Sequence, residues 1–178
     1  MSASVPHTAG SLPPASMLGF ALRMLVCYGV FHALYFWIPI DVLHDEIYPR
    51  LFGQPAVAMI DALRPAEAVT AQANRLSSPR AALEIVRGCD GSGVLFLVCA
   101  AVLAFPASWR ARLAGVLLGA ALVYGLNLLR LAGLYFVAAY RPPWFLPLHT
   151  YFVPTLLIVA MALFYLAWLG WAAPARPR

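Results

Sequence analysis

Lysine is missing from this 178-residue chain, and acids are missing from most of it. Charged residues make up 11% of the sequence, against about 25% in an ordinary soluble domain. All seven acids (Asp41, Asp45, Glu46, Asp61, Glu67, Glu84 and Asp90) fall between residues 39 and 92. Cysteine is scarce too, at three residues with no C-x-x-C pair, which argues against a thiol–disulfide carrier. The four histidines, His7, His32, His44 and His149, are scattered, and no H-E-x-x-H is present. That removes the zinc-protease pattern, and no metal is expected. No glycine-rich phosphate loop appears either, so no nucleotide or other cofactor is expected. What remains is apolar. Hydrophobic residues reach 63% and mean hydropathy is +0.80. A water-soluble enzyme and a disordered chain are both excluded. The reading is an all-α polytopic membrane protein, a single membrane domain over residues 1–178.

Apolar runs predict about four transmembrane helices, at 18–38, 92–107, 113–140 and 151–173. Pro142 and Pro143 end the third, because proline cannot continue a helical ladder. Pro154 is tolerated in the first turn of the fourth. The first run is too long, and too poor in flanking basic residues, for a cleaved signal peptide. Four spans put both termini on one side, with the short loop Pro106–Arg112. That side holds Arg110, Arg112, Arg176 and Arg178 and no acid, so it is read as cytoplasmic. The basic pI of about 9.4 then reports membrane orientation, and nucleic acid is not an expected partner.

Residues 39–92 form one long extracytoplasmic loop, the part of the chain built for water. Val57, Ile60 and Leu63 stand at helical spacing and predict a short helix over about 55–64. Val69–Ala73 and Ala82–Arg87 read as strands of a β-hairpin turning at Ser77-Ser78-Pro79. Tyr35, Trp37, Trp109, Tyr140 and Trp144 read as interfacial anchors. Gly115-x-x-x-Gly119 is a helix-packing pattern.

Three polar groups reach one depth. Cys89 lies in the turn Arg87-Gly88-Cys89-Asp90-Gly91-Ser92-Gly93, which opens the second span. Arg87 and the helix dipole both favour its thiolate, while Asp90 opposes it. Arg130 follows Leu113 by 17 residues, roughly 25 Å of helix, which puts it in the outer part of the membrane. A buried Arg costs about 2.5–3.5 kcal/mol on insertion scales unless partnered, so a polar stripe of Asn127 and Arg130 should face other helices. His149 stands ahead of the fourth span, where a helix N-terminus favours neutral imidazole. Cys27 and Cys99 lie mid-span and read as small hydrophobes.

Gly88-Cys89-Asp90-Gly91, Asn127-Leu128-Leu129-Arg130 and Leu148-His149, each at a span, together resemble the exosortase/archaeosortase family. The loop Ala104-Phe105-Pro106-Ala107-Ser108-Trp109-Arg110 is similar to that of its short bacterial members. The resemblance covers roughly 80–160. The best-known members are longer and have more spans, so the chain looks like a short form. The resemblance implies a membrane cysteine transpeptidase or protease of the bacterial inner membrane, often associated with exopolysaccharide production. Its substrates would be exported proteins whose C-terminal tail carries a short motif, a transmembrane helix and a basic cluster. It further implies Cys89 as nucleophile with Arg130 and His149 as catalytic partners. Asn127 is expected to orient Arg130 or His149, and Asp90 to fix the loop. A competing reading is a non-enzymatic membrane scaffold or transporter subunit, with Arg130 and Asn127 lining a solute path or subunit contact and Cys89 freely replaceable.

Overall fold

The computed structural model describes residues 14–172. His7, Arg176 and Arg178 lie outside the described residues, as does the last residue of the expected 151–173 span. The described residues are mostly helical, with one small sheet. Three helices are long and apolar enough to cross a membrane: Met17–Trp37, Trp109–Tyr140 and Pro142–Ala172.

The first belongs to α1 (Pro14–Trp37), where Arg23 turns its Nε back to the Gly19 carbonyl at 3.0 Å. Pro39 follows the end of α1, and a nearly unbroken helical stretch then runs from Ile40 to Leu63. It comprises α2 (Ile40–Val42), two π-helical turns at Leu43–Ile47 and Pro49–Gly53, and α3 (Gln54–Leu63). The expected 55–64 helix is α3. Its N-terminal extension was not legible because Pro49 and Pro55 each lack a donor. The ladder steps over such gaps by widening to π turns.

The sheet has three strands, β1 (Thr70–Gln72), β2 (Arg75–Ser77) and β3 (Ala82–Glu84), in that order and antiparallel. This corrects the two-stranded hairpin. The turn at Ser78 joins β2 to β3, and a second, tighter turn at Ala73-Asn74 joins β1 to β2. Ala73 takes a left-handed φ of 49° there. Three residues are too few for strand periodicity to register in sequence. Leu76, Leu83 and Ile85 from the sheet pack with Leu43, Tyr48 and Ile60 against Leu134 and Tyr135. The segment from Leu43 to Ile85 thus shares a core with the next long helix.

That helix is α5 (Trp109–Tyr140), reached through α4 (Ser92–Ala104). With 13 residues, α4 rises only about 20 Å, short of the roughly 30 Å hydrocarbon core that the expected second span would have to cross. Ser108 caps α5 by accepting from the Ala111 N–H at 3.3 Å. After Arg141 the chain turns directly into α6 (Pro142–Pro147), a π turn at Leu148–Phe152 and α7 (Val153–Ala172). The last helix therefore starts at Pro142, about nine residues earlier than expected, since proline suits a helix's first position. Pro154 follows the π turn, and the Thr155 hydroxyl donates to the Tyr151 carbonyl at 2.7 Å.

Where α4, α5 and α7 meet, Gly115 and Gly119 let the backbones approach. A Cβ on Gly115 would come within 2.4 Å of the Trp168 ring nitrogen and 2.9 Å of Val102. Trp168 Nε1 itself donates to the Ala111 carbonyl at 3.0 Å. The glycine pair is a packing device, as its spacing predicted.

Candidate functional site

The site is built on the turn between β3 and α4. Gly88 and Gly91 both take left-handed φ, +92° and +82°, a region open to glycine at little cost. Gly91 also has Asn127 against it, where a Cβ would meet the Asn127 amide carbon at 3.2 Å. Cys89 is held between these two glycines, and its N–H donates to the Val86 carbonyl at 2.9 Å.

Three remote segments converge on this turn. Cys89 Sγ lies 3.6 Å from His149 Nε2. Arg130 Nη1 donates to the Cys89 carbonyl at 3.0 Å and to Asn127 Oδ1 at 3.4 Å. Cys89, His149, Arg130 and Asn127 share the wall of one chamber of about 30 Å³ with Glu84 and apolar residues that include Leu134 and Phe145. By volume it holds a water molecule or two, not a peptide. Phe145 stacks on the His149 ring at 5.3 Å with the planes 12° apart.

Two polar atoms on this side are buried with no hydrogen-bond partner among the described residues, Arg130 Nε and His149 Nδ1. Leaving such atoms unmatched is costly in a finished core. Both belong to side chains that line the chamber. His149 sits inside the continuous Pro142–Ala172 helix rather than ahead of its first turn. The expected dipole argument for a neutral ring therefore does not apply. Beyond Arg130 an open apolar groove of about 500 Å³ runs between α5 and α7, lined by residues such as Leu129, Val137, Phe152 and Leu156.

Compared with family models, curated proteins and solved structures, the chain matches none.

The other predicted residues face away from the chamber. Asp90 is buried and fully engaged: Oδ1 accepts from the Ser92 N–H (3.2 Å) and hydroxyl (2.8 Å), and Oδ2 from Tyr35 and, at 3.4 Å, Tyr48. The two tyrosine hydroxyls also bond each other at 2.8 Å. Burial, above all, pushes the Tyr48 phenol above its ordinary pKa. Arg87 turns to α1, donating to the Phe36 carbonyl at 3.3 Å and the Ile38 carbonyl at 2.7 Å, with its guanidinium over the Tyr35 and Phe36 rings. It therefore ties the turn to the end of α1. Cys99 is buried in α4 and Cys27 half-buried in α1.

Sequence reasoning read Tyr35 and Tyr140 as interfacial anchors and gave Tyr48 no role. Tyr35 and Tyr48 clamp Asp90. Tyr140, with Tyr135, donates to the buried Glu67. Those hydroxyls hold the Glu67 carboxyl below its usual pKa. A tyrosine near a span end looks the same in sequence whether its hydroxyl meets lipid headgroups or a carboxylate 55 residues away. Among the described residues, no three His, Cys, Asp or Glu side chains cluster as a metal site would require.

Proposed function

We propose that this protein is a membrane-embedded cysteine transpeptidase or protease. It cleaves C-terminal sorting tails from exported proteins through a thioester. The reading rests on one observation, the Cys89 thiol within 3.6 Å of His149 Nε2 on a turn that Arg130 also grips. Thiol and imidazole at that separation form a nucleophile–base pair.

In the proposed sequence, His149 Nε2 takes the thiol proton as Cys89 Sγ attacks the scissile carbonyl carbon. Arg130, which is always charged, stabilises the resulting oxyanion, with the unpartnered Nε as a free donor. The C–N bond breaks, the leaving amine takes the proton from His149, and the acyl group remains on Cys89 as a thioester. An acceptor amine or water then attacks that thioester and restores the thiol. Asn127 keeps Arg130 on the turn, and Gly91 makes room for Asn127.

The substrate is an exported protein ending in a short motif, a membrane helix and a basic cluster. Its apolar helix would lie along the α5–α7 groove, with the motif at the Cys89 turn. This places the protein in the bacterial inner membrane as a multi-pass chain, with α4 as a short fourth span and the 39–92 segment outside. Phospholipid is then its solvent.

The test is coexpression with a tagged exported protein of that tail design from the same genome. Cys89→Ala should leave the tail uncut, while Cys27→Ala and Cys99→Ala should process it. Full processing by Cys89→Ala would sink the reading and favour the scaffold or transporter alternative.

A further inference from the structure

The π turn Pro49–Gly53 packs on the face of the sheet, where a Cβ on Gly53 would stand 3.0 Å from the Ala71 Cβ. β3 forms one edge of the sheet. Its open backbone groups follow from the register. Leu76 pairs with Leu83, and the Ile85 N–H donates to the Asn74 carbonyl at 2.7 Å one step on. At the other end the Ser78 N–H donates to the Ala81 carbonyl at 2.9 Å. In an antiparallel ladder, bonded and non-bonded pairs alternate. Positions 81, 83 and 85 therefore bond to β2, and Ala82 and Glu84 turn their N–H and C=O outward. Both residues are exposed, and no hydrogen bond reaches those four groups among the described residues. This open edge stands at the site: Leu83, Glu84 and Ile85 line the same chamber as Cys89 and His149. From Glu84 the chain reaches Cys89 in five residues.

We infer that the β3 edge binds the substrate as an added strand, with an extended peptide pairing to the outward N–H and C=O of Ala82 and Glu84 so that its scissile bond lies at Cys89. The inference rests on the proposed peptidase reading. An unpaired ladder is a template for extended chain, and backbone pairing holds a peptide without fixing most of its side chains. Alternate side chains of the added strand then point toward the chamber wall of Leu83, Ile85, Leu134 and Phe145. The next ones point to the opposite side of the added strand. The arrangement explains how a chamber too small for a peptide can still serve one: the backbone is bound outside it, and only the reacting carbonyl enters.

The test removes outward donors and leaves the β2–β3 ladder intact. Proline on a strand edge deletes an N–H that makes no ladder bond. Glu84→Pro, Glu84→Ala and Ala82→Pro are compared for cleavage of the coexpressed tagged exported protein. Maleimide labelling of Cys89 serves as the check that the turn is formed. The expected result is that Glu84→Pro cleaves at least about tenfold more slowly than Glu84→Ala, with Cys89 labelled equally in both. Equal cleavage by the two overturns edge binding. Ala82→Pro decides in the same way if Glu84→Pro does not fold. Independently, proline scanned through the eight residues ahead of the substrate's apolar helix should block cleavage at every second position. Loss without that alternation overturns the inference. Identical processing by the wild type and Cys89→Ala would instead remove the peptidase reading, and edge binding with it. That result is distinct from a Cys89-dependent enzyme indifferent to both prolines.

Discussion

The two faces of the Cys89 turn are built in opposite ways. Toward α1, Asp90 is saturated: both its oxygens accept, from Ser92 and from two tyrosines on different segments. Toward the chamber, the Cys89 thiol has His149 Nε2 at 3.6 Å, Arg130 Nη1 serves two acceptors at 3.0 and 3.4 Å, and Arg130 Nε and His149 Nδ1 have no partner. Asp90 is fully bonded, although Arg87 Nε on its side is also buried without a partner, and the chamber side is open at both Arg130 and His149. A core would satisfy both sides, because a buried unpaired donor costs about 1–3 kcal/mol. A site that awaits a reacting group would leave the chamber side as it is. The difference assigns separate work to residues adjacent in sequence: Asp90 anchors, and Cys89 presents.

The largest expected effect is on the open face. Arg130→Lys keeps the charge but removes Nε, the donor without a partner, and the planar group whose Nη1 holds the Cys89 carbonyl and Asn127. Tail cleavage should fall about 10²–10³-fold, the usual loss when one oxyanion donor is removed. Near-normal turnover would mean that positive charge alone suffices there.

Gly91 touches both faces, since it precedes α4 and gives Asn127 its place. Gly91→Ala should destabilise the protein by about 1–3 kcal/mol, from the left-handed backbone and the Asn127 contact together. Thermal unfolding in detergent micelles would show it, and an unchanged midpoint would mean the turn relaxes freely.

How much of this contrast could be read without coordinates follows from the physics of each part. Long apolar runs mark helices because burial of a whole segment in lipid needs nearly every residue apolar. The stripe of Asn127 and Arg130 stood out for the same reason, as did a cysteine in a glycine-rich turn. Arg87 and Asp90 were legible as site neighbours, but which way they face was not, since one residue's step around a turn reverses direction. Tyr35 and Tyr48 could not be found, because nothing local tells a tyrosine that its partner is Asp90. The strand Arg75–Ser77 was lost to shortness, and the early start of the last helix was lost because Pro142 and Pro143 read as a stop.

On the Asp90 side the effects should be smaller and confined to stability. Tyr35→Phe removes one donor to Asp90 and should cost about 1–2 kcal/mol in the same unfolding assay. Cys89 labelling should change little, because Ser92 and Tyr48 still hold the carboxylate. A larger loss of labelling than of stability would show that Asp90 acts on the thiol directly, and the division of labour would fail.

The smallest effect is acid sensitivity of the segment that carries Glu67. Glu67 has its pKa lowered in the fold by the Tyr140 and Tyr135 hydroxyls, below the ordinary value of 4.5. Its contribution is therefore present above about pH 4.5 and is lost as pH falls through the lowered value. Glu67→Gln should flatten that part of the stability profile. An identical acid limb in the variant would show that the carboxylate contributes nothing.

The central claim is that Cys89 and His149 act as a pair, and alkylation of the thiol reads it most directly. In a protein with Cys27 and Cys99 replaced by alanine, the iodoacetamide reaction of Cys89 is followed across pH with and without His149→Gln. The account predicts that His149→Gln slows alkylation at neutral pH by about tenfold or more while the fold persists, since the thiol then loses its proton acceptor. Superimposable rate profiles for the two proteins would contradict it.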